Sequence, residues 1–363
     1  MLTFGRDYTR SAAETRRLEA QAEAIARQVN GDTLLGWPDY QQGQVGLVFS
    51  TIYIGPKRRA IGEWDKLSYE SIEEAHRFSQ MQLEAYHRLV ESHPEKFRLI
   101  GTRGELDSLL EAWKPLQAAP PERESVYRAA LEGEGTPVGL IPLIENAEGV
   151  RSPEELAEWW EGGVRLIGPA WAGTRFCGGT REPGPLTPEG YALLDGMAAH
   201  NFGLDLSHMD EEAALQALDY YPGVIIASHA NALALLPGVE SNRHLTDRLI
   251  DGLIERDAVI GVVPANPFLD PDWRAHKQKE RVGLDKVAAQ IDYICQRAGD
   301  ARHAALGTDF DGGFGYSAVP REIDTIADMQ KLISLLAEKG YTQADIAAIF
   351  HGNWLERLRR ILP

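Results

Sequence analysis

Along this chain, short runs of apolar and β-branched residues alternate with longer stretches in which apolar positions recur every three to four residues. The first pattern suits strands buried on both faces and the second suits amphipathic helices, so their alternation predicts parallel βα units. The strand candidates are a weak one before Asp32, then 44–54, 137–145, 163–171, 202–209, 223–230, 258–265 and 304–312. Helical candidates lie between them at 152–161, 187–200, 245–256 and 280–298, and two more, near 321–338 and 342–360, close the chain. Thr187-Pro188-Glu189 reads as an N-cap followed by proline at the first helical position. The stretch 66–133, rich in Glu, Arg and Leu, reads as an elaborated helical crossover between the second and third strands. Eight strands with helices between them predict an α/β fold closed into a (β/α)8 barrel, with a doubly wound open sheet as the alternative. No repeat, low-complexity tract or Gly/Ser linker interrupts the pattern, so residues 1–363 are expected to form one domain.

Composition narrows the class of partner. A formal net charge of −17 disfavours a phosphate backbone, and nucleic acid is set aside. The two cysteines, Cys177 and Cys295, are far apart and in no metal-ligand spacing, so neither a disulfide framework nor a zinc ribbon is indicated. The first 29 residues lack the apolar core and small-residue cleavage site of a secretory signal and read as an amphipathic helix. No apolar run approaches the roughly 20 residues of a membrane span. A cytoplasmic protein acting on a small molecule, with no membrane partner, is therefore the expectation.

In barrels of this kind the reactive groups project from the C-terminal ends of the strands. Here those ends carry Asp32, Glu145, His208, His229 and Asp309. Two imidazoles and three carboxylates from five strands form a donor set suited to a borderline metal such as zinc that activates water. Each residue also has a plainer reading. His208 in DLSHM and His229 in IIASHAN could be hydrogen-bonded core histidines. Glu145, ending VGLIPLIE, could pair with a barrel arginine such as Arg165, and Asp309 and Asp311 in LGTDFDGG could cap a turn. Against coincidence stands the repetition: two successive strands each end in Ser-His after a largely apolar run.

The segments DLSHM, ASHAN, NRHLTD and GTDFDGG, with IENAEGV upstream and GQVGLVFSTIY near the start, resemble the membrane (renal-type) dipeptidases, the M19 metallopeptidases. The resemblance runs from Asp32 to the last helix. It implies a (β/α)8 barrel with a two-zinc centre that cleaves dipeptides, some with a D-residue on the C-terminal side. Position by position, it implies that Glu145 bridges both zincs, that His208 and His229 ligate the second, and that Asp309 handles protons near the attacking water. It gives Arg243 the substrate carboxylate, a role for which the guanidinium fork is suited. It also admits a homodimer.

Two departures qualify what is carried over. The family's first strand ends in His-x-Asp, whereas QVNGDTLLG keeps Asp32 but places Asn30 where the histidine belongs. A neutral amide oxygen is a poorer zinc ligand than imidazole, so the first of the one or two zinc ions is expected to be weak or absent. Trp171, in GPAWAGTRFCGG, replaces a histidine that touches substrate, and an indole has an apolar face and one N–H but no titratable nitrogen. Asn146 also replaces the glycine after the bridging glutamate. The expected function is a metal-dependent amide hydrolase for dipeptides or similar small amides with a free carboxylate. The alternative is a weakened or inactive pseudoenzyme that binds a small molecule. A lactonase- or deaminase-type barrel ranks below both, because no His-x-His ends the first strand.

Overall fold

The structure is a computed structural model and describes residues 3–60, 62–118 and 122–363. Its frame is a parallel sheet of β1 (Leu47–Ile52), β2 (Phe97–Leu99), β3 (Val138–Ile144), β4 (Leu166–Ile167), β5 (Gly203–Asp205), β6 (Ile225–Ala227), β7 (Val259–Val262) and β8 (Ala304–Leu306). The lateral order is β1-β3-β4-β5-β6-β7-β8. β2 pairs with the first half of β3 and β4 with its last residues, as Phe97 opposite Val138 and Leu143 opposite Leu166 show. All seven residues of β3 are buried, which is why VGLIPLI reads as a continuous apolar run rather than an alternating one.

The sheet curls into an α/β barrel of the (β/α)8 type, with helices outside. Its seam, between β8 and β1, carries no hydrogen-bonded ladder among the described residues. Trp354 spans that seam from the C-terminal helix Asn353–Ile361. Its Nε1–H donates to the Leu306 carbonyl at 3.0 Å, and its ring meets Phe49 edge-on at 5.1 Å.

Two expectations need correcting. No strand forms before Asp32: Ile25–Val29 is helical, and residues 31–36 carry no ladder. The physical reason is local: the backbone closes helical bonds on itself, with the Asn30 N–H donating to the Ala26 carbonyl at 2.9 Å, and just downstream the Asp311 carboxylate takes the Leu34 N–H at 3.0 Å. The eighth strand of the sheet is β2, inside the stretch read as purely helical. At three residues it is too short for any periodicity to reveal. The helices around it, Ile72–Ser92, Arg103–Ala118 and Arg123–Leu131, do form the elaborated crossover. The helix Pro188–Ala199 starts as its sequence suggests, with Thr187 accepting from the Gly190 N–H and proline in the first turn.

Asp311 ties the N-terminal segment to the loop after β8. It accepts from the Thr33 hydroxyl, from the Tyr8 hydroxyl at 3.1 Å and from the Leu34 N–H, and it lies 3.2 Å from Arg6 Nη1. Arg6 in turn bonds Glu19 at 2.8 Å and the Gly31 carbonyl at 2.6 Å. Both partners of the Arg6–Asp311 pair are almost fully buried, and breaking such a pair from one side strands the other charge. Asp311→Ala is expected to lower unfolding stability by about 3 kcal/mol in urea denaturation. A loss under about 1 kcal/mol would show that the pair does not anchor the segment.

Among the described residues, no helix is long and apolar enough to cross a membrane.

Candidate metal centre

Because the strands are parallel, their C-terminal ends open onto one rim. Glu145 directly follows β3 and is fixed by its own N–H, which donates to the Ile52 carbonyl of β1 at 3.0 Å. His208 and His229 stand just beyond β5 and β6. His208 has a φ of 69° and Asp309 a φ of 51°, left-handed conformations uncommon outside glycine and enriched at working sites. The glycines of DFDGG have a local reason too. A Cβ on Gly312 would stand 2.1 Å from Asp309 Oδ1 and 2.9 Å from the Asp309 carbonyl oxygen, so a larger residue there would displace this carboxylate.

The Nε2 atoms of His208 and His229 are 3.1 Å apart, and they lie 3.2 and 3.4 Å from Glu145 Oε1. All three residues are buried, at 8% exposure each. The remaining ring nitrogens are engaged. His229 Nδ1 meets Ser228 Oγ at 2.7 Å, and Ser228 gives its hydroxyl proton to Asp205 Oδ2 at 2.5 Å, so the imidazole is the donor and its Nε2 carries a lone pair. Asp205 is itself held by the Ser207 and Ser228 N–H groups at 3.0 and 2.8 Å. His208 Nδ1 meets Thr180 Oγ1 at 2.9 Å. The Nε2 lone pair of His229, the Nε2 of His208 and the Glu145 carboxylate thus converge.

That arrangement fits a cation. Tetrahedral zinc with bonds of roughly 2.0–2.1 Å requires ligand atoms about 3.3–3.4 Å apart, close to the three separations found. The outer hydroxyls orient each imidazole as metal-bound histidines are usually oriented. Protonation behaviour agrees. Burial and the nearby Arg243 charge push His208 down to about 3, which keeps it neutral. At His229 burial acts in the same direction but is overridden by Asp309 and Glu145, which hold its pKa above the ordinary value.

Asp309 lies beside this triad. Burial raises its carboxyl to about 7, with Glu145 pushing the same way and His229 and Arg243 opposing. Arg243 is 6% exposed and donates one Nη2–H to the His229 carbonyl at 2.8 Å, and its Nε and Nη1 have no partner. Trp171 reaches the site as part of an aromatic series: its ring lies 5.9 Å from that of His208 and 5.2 Å from that of Tyr53.

The structure does not assemble the other expected metal half. Asp32 pairs with Arg27 at 2.6 Å and stays partly exposed. Asn30 ends the helix Ile25–Val29 and accepts the Gly313 N–H at 3.0 Å through its side-chain oxygen, the atom a metal would need. Among the described residues, Glu145, His208 and His229 are the only cluster of three or more His, Cys, Asp or Glu side chains whose ligand atoms lie within 4.8 Å of one another. Arg165 is not the partner of Glu145. It bonds the Gly101, Trp160 and Val164 carbonyls and lies over the Trp160 ring. Asn146 is fully buried and ties its loop to the segment after β1, donating to the Ile54 carbonyl at 3.0 Å and accepting from the Glu148 N–H at 3.0 Å.

A family model of the membrane dipeptidases, peptidase family M19, matches residues 125–361. The chain belongs to the membrane dipeptidase family. Among curated relatives, an uncharacterised protein from the pqqA 5′ region of Klebsiella pneumoniae is 31% identical over 234 residues, covering 62% of this chain and 82% of that one. Dipeptidase tcpJ of Claviceps purpurea is 27% identical over 179 residues, 48% of this chain but only 38% of its own length. A metallopeptidase from Rhodobacter sphaeroides, solved with a phosphinate mimic of the dipeptide L-Ala-D-Ala, superposes with a TM-score of 0.70 at 22% identity, covering 96% of each chain. This last likeness concerns the fold. In this membrane dipeptidase family member, residues with no predicted role also contact the candidate site or its supports: Thr180, Asp205, Ser207, Ser228 and Tyr53. Asp205 and the two serines had a signal, since DLSH and ASH repeat a hydroxyl before each histidine. Thr180 had none, because it reaches His208 across 28 positions.

Proposed function

We propose that the protein is a metal-dependent amide hydrolase acting on dipeptides or similar small amides with a free carboxylate, built around one divalent ion of the zinc type. One juxtaposition carries this reading: three candidate metal donors converge beside a buried guanidinium whose Nε and Nη1 have no partner. Glu145, His208 and His229 would hold the ion, which when bound supplies Lewis acidity and makes water a competent nucleophile near neutral pH. Asp309, with its carboxyl near 7, is matched to take a proton from water at the start and return it to the leaving amine at the end. The amide C–N bond breaks, the water oxygen stays on the acyl carbon, and the amine leaves with the proton. Arg243 receives the substrate carboxylate through its free donors. Trp171 and Tyr53 give the substrate an aromatic wall.

Arg243→Gln is the experiment for the substrate class. It is expected to raise KM for a dipeptide by about 10-fold or more while leaving metal content unchanged, because a charge-assisted pair is worth roughly 1.5–3 kcal/mol. Equal turnover of a dipeptide and its C-terminal amide would contradict the carboxylate assignment.

The placement of Asn30 and Asp32 favours a second reading, a binding protein without turnover. It separates from the first by ligand affinity that survives a chelator.

A further inference from the structure

Asn242, the residue before Arg243, makes a set of contacts that reaches both halves of the site. Its Oδ1 accepts the Arg181 N–H at 2.9 Å. Its Nδ2 donates to the Gly179 carbonyl at 2.9 Å and to Asp210 Oδ1 at 2.8 Å. One side-chain amide therefore grips the backbone on either side of Thr180, and Thr180 is the residue that meets His208 Nδ1 at 2.9 Å. The same amide pins the Asp210 carboxylate, two residues beyond His208. Asp210 also accepts the Gly184 N–H at 3.3 Å, and its own N–H donates to the Gly178 carbonyl at 3.1 Å. The hairpin of the antiparallel strands Cys177–Gly179 and Glu182–Leu186, whose turn carries Thr180, thus meets the turn carrying His208 and the loop carrying Arg243 at a single side chain.

We infer that Asn242 is a positioning residue that couples the orientation of the metal ligand His208, through Thr180, to the placement of the carboxylate anchor Arg243. No other residue type of this size supplies one acceptor and two donors from a rigid planar group. Aspartate keeps the acceptor, loses both donors and sets a second carboxylate against Asp210. Alanine releases all three contacts. Thr180 is an outer partner of a metal-binding histidine, a kind of contact whose loss typically costs about 10–100-fold in metal affinity or activity. Asn242 acts one contact further out, and it also acts on the next residue along the chain. Its removal is therefore expected to weaken metal binding and substrate binding together, where each neighbour alone affects one of them.

The inference rests on the hydrolase reading, and the test separates the two. Full-length wild type, N242A, N242D, T180V and the double variant T180V/N242A are titrated with Co2+ by visible absorption, and KM for a dipeptide is measured on the loaded proteins. Expected is a rise of about 10-fold in the Co2+ dissociation constant for N242A and for N242D, and a similar rise for T180V. The double variant should bind no worse than the weaker single one, since both substitutions break one chain of contacts. KM should rise in N242A and stay put in T180V. If wild type binds Co2+ and both Asn242 variants bind it equally well, the inference is overturned and the hydrolase reading stands. Multiplying effects in the double variant also overturn it, as does a lowered melting temperature with unchanged Co2+ affinity, which marks a merely structural role. A wild-type chain that takes up no Co2+ overturns both.

Discussion

His229→Ala is expected to empty the metal centre and to reduce kcat/KM by at least about 10³-fold, because it removes one of the three residues proposed to hold the ion, whereas outer-shell losses alone cost about 10–100-fold. The remaining pair, Glu145 and His208, would leave most of an ion's coordination to water. The Ser228–Asp205 arrangement that orients His229 would lose its purpose and keep its geometry, so folding should survive. Metal content by mass spectrometry and steady-state kinetics on a chain of unchanged melting temperature would check this. Wild-type turnover in His229→Ala would remove the triad from the reaction.

Asp309→Asn should separate binding from chemistry. The amide is near-isosteric, so the turn closed by Gly312 can persist and the triad can keep its metal. What disappears is the proton carrier, a contribution of typically 10²–10⁴-fold, and the fall should appear in kcat with metal content near that of wild type. The pH profile gives a second readout. Asp309 works as a base only when ionised, so wild-type activity rises with pH through its pKa. In the metal-free protein burial holds that pKa at about 7, and a cation in the triad would move it down, so the acid limb should fall at or below 7. Asp309→Asn should lack this limb. The same shift bears on stability. The folded carboxyl has a higher pKa than the roughly 3.9 of an unfolded chain, so the native state binds more protons in that window. The metal-free protein should therefore lose stability as pH rises from about 4 to 7, and added metal should relieve the loss.

Most of the barrel could be read from the chain because its strands are buried on both faces, and continuous apolar runs such as VGLIPLI leave few other placements. The triad could be read for a related reason. A charged or imidazole residue at the end of such a run is conspicuous, and Glu145, His208 and His229 each sit there. Local pattern failed where side chains decide the backbone. The segment before Asp32 reads as a weak strand, yet Ile25–Val29 is helical, and just beyond it the Leu34 N–H is taken by Asp311, 277 positions away. Asp32 looked like a ligand by alignment with a motif, but Arg27, five residues before it, captures the carboxylate. The Asn30 oxygen is likewise used by the Gly313 N–H. Such long-range pairings, like the Asn242 contacts, leave no period in the sequence.

The pairing of Asn30 and Asp32 with protein groups and the convergence of Glu145, His208 and His229 both favour the proposed hydrolase with one ion. Metal analysis of the purified chain after loading with zinc, followed by assay with a dipeptide, addresses this most directly. One zinc per chain, lost in His229→Ala and accompanied by dipeptide hydrolysis, is the expected result. Two zincs per chain, or hydrolysis that persists after complete removal of metal, would contradict it.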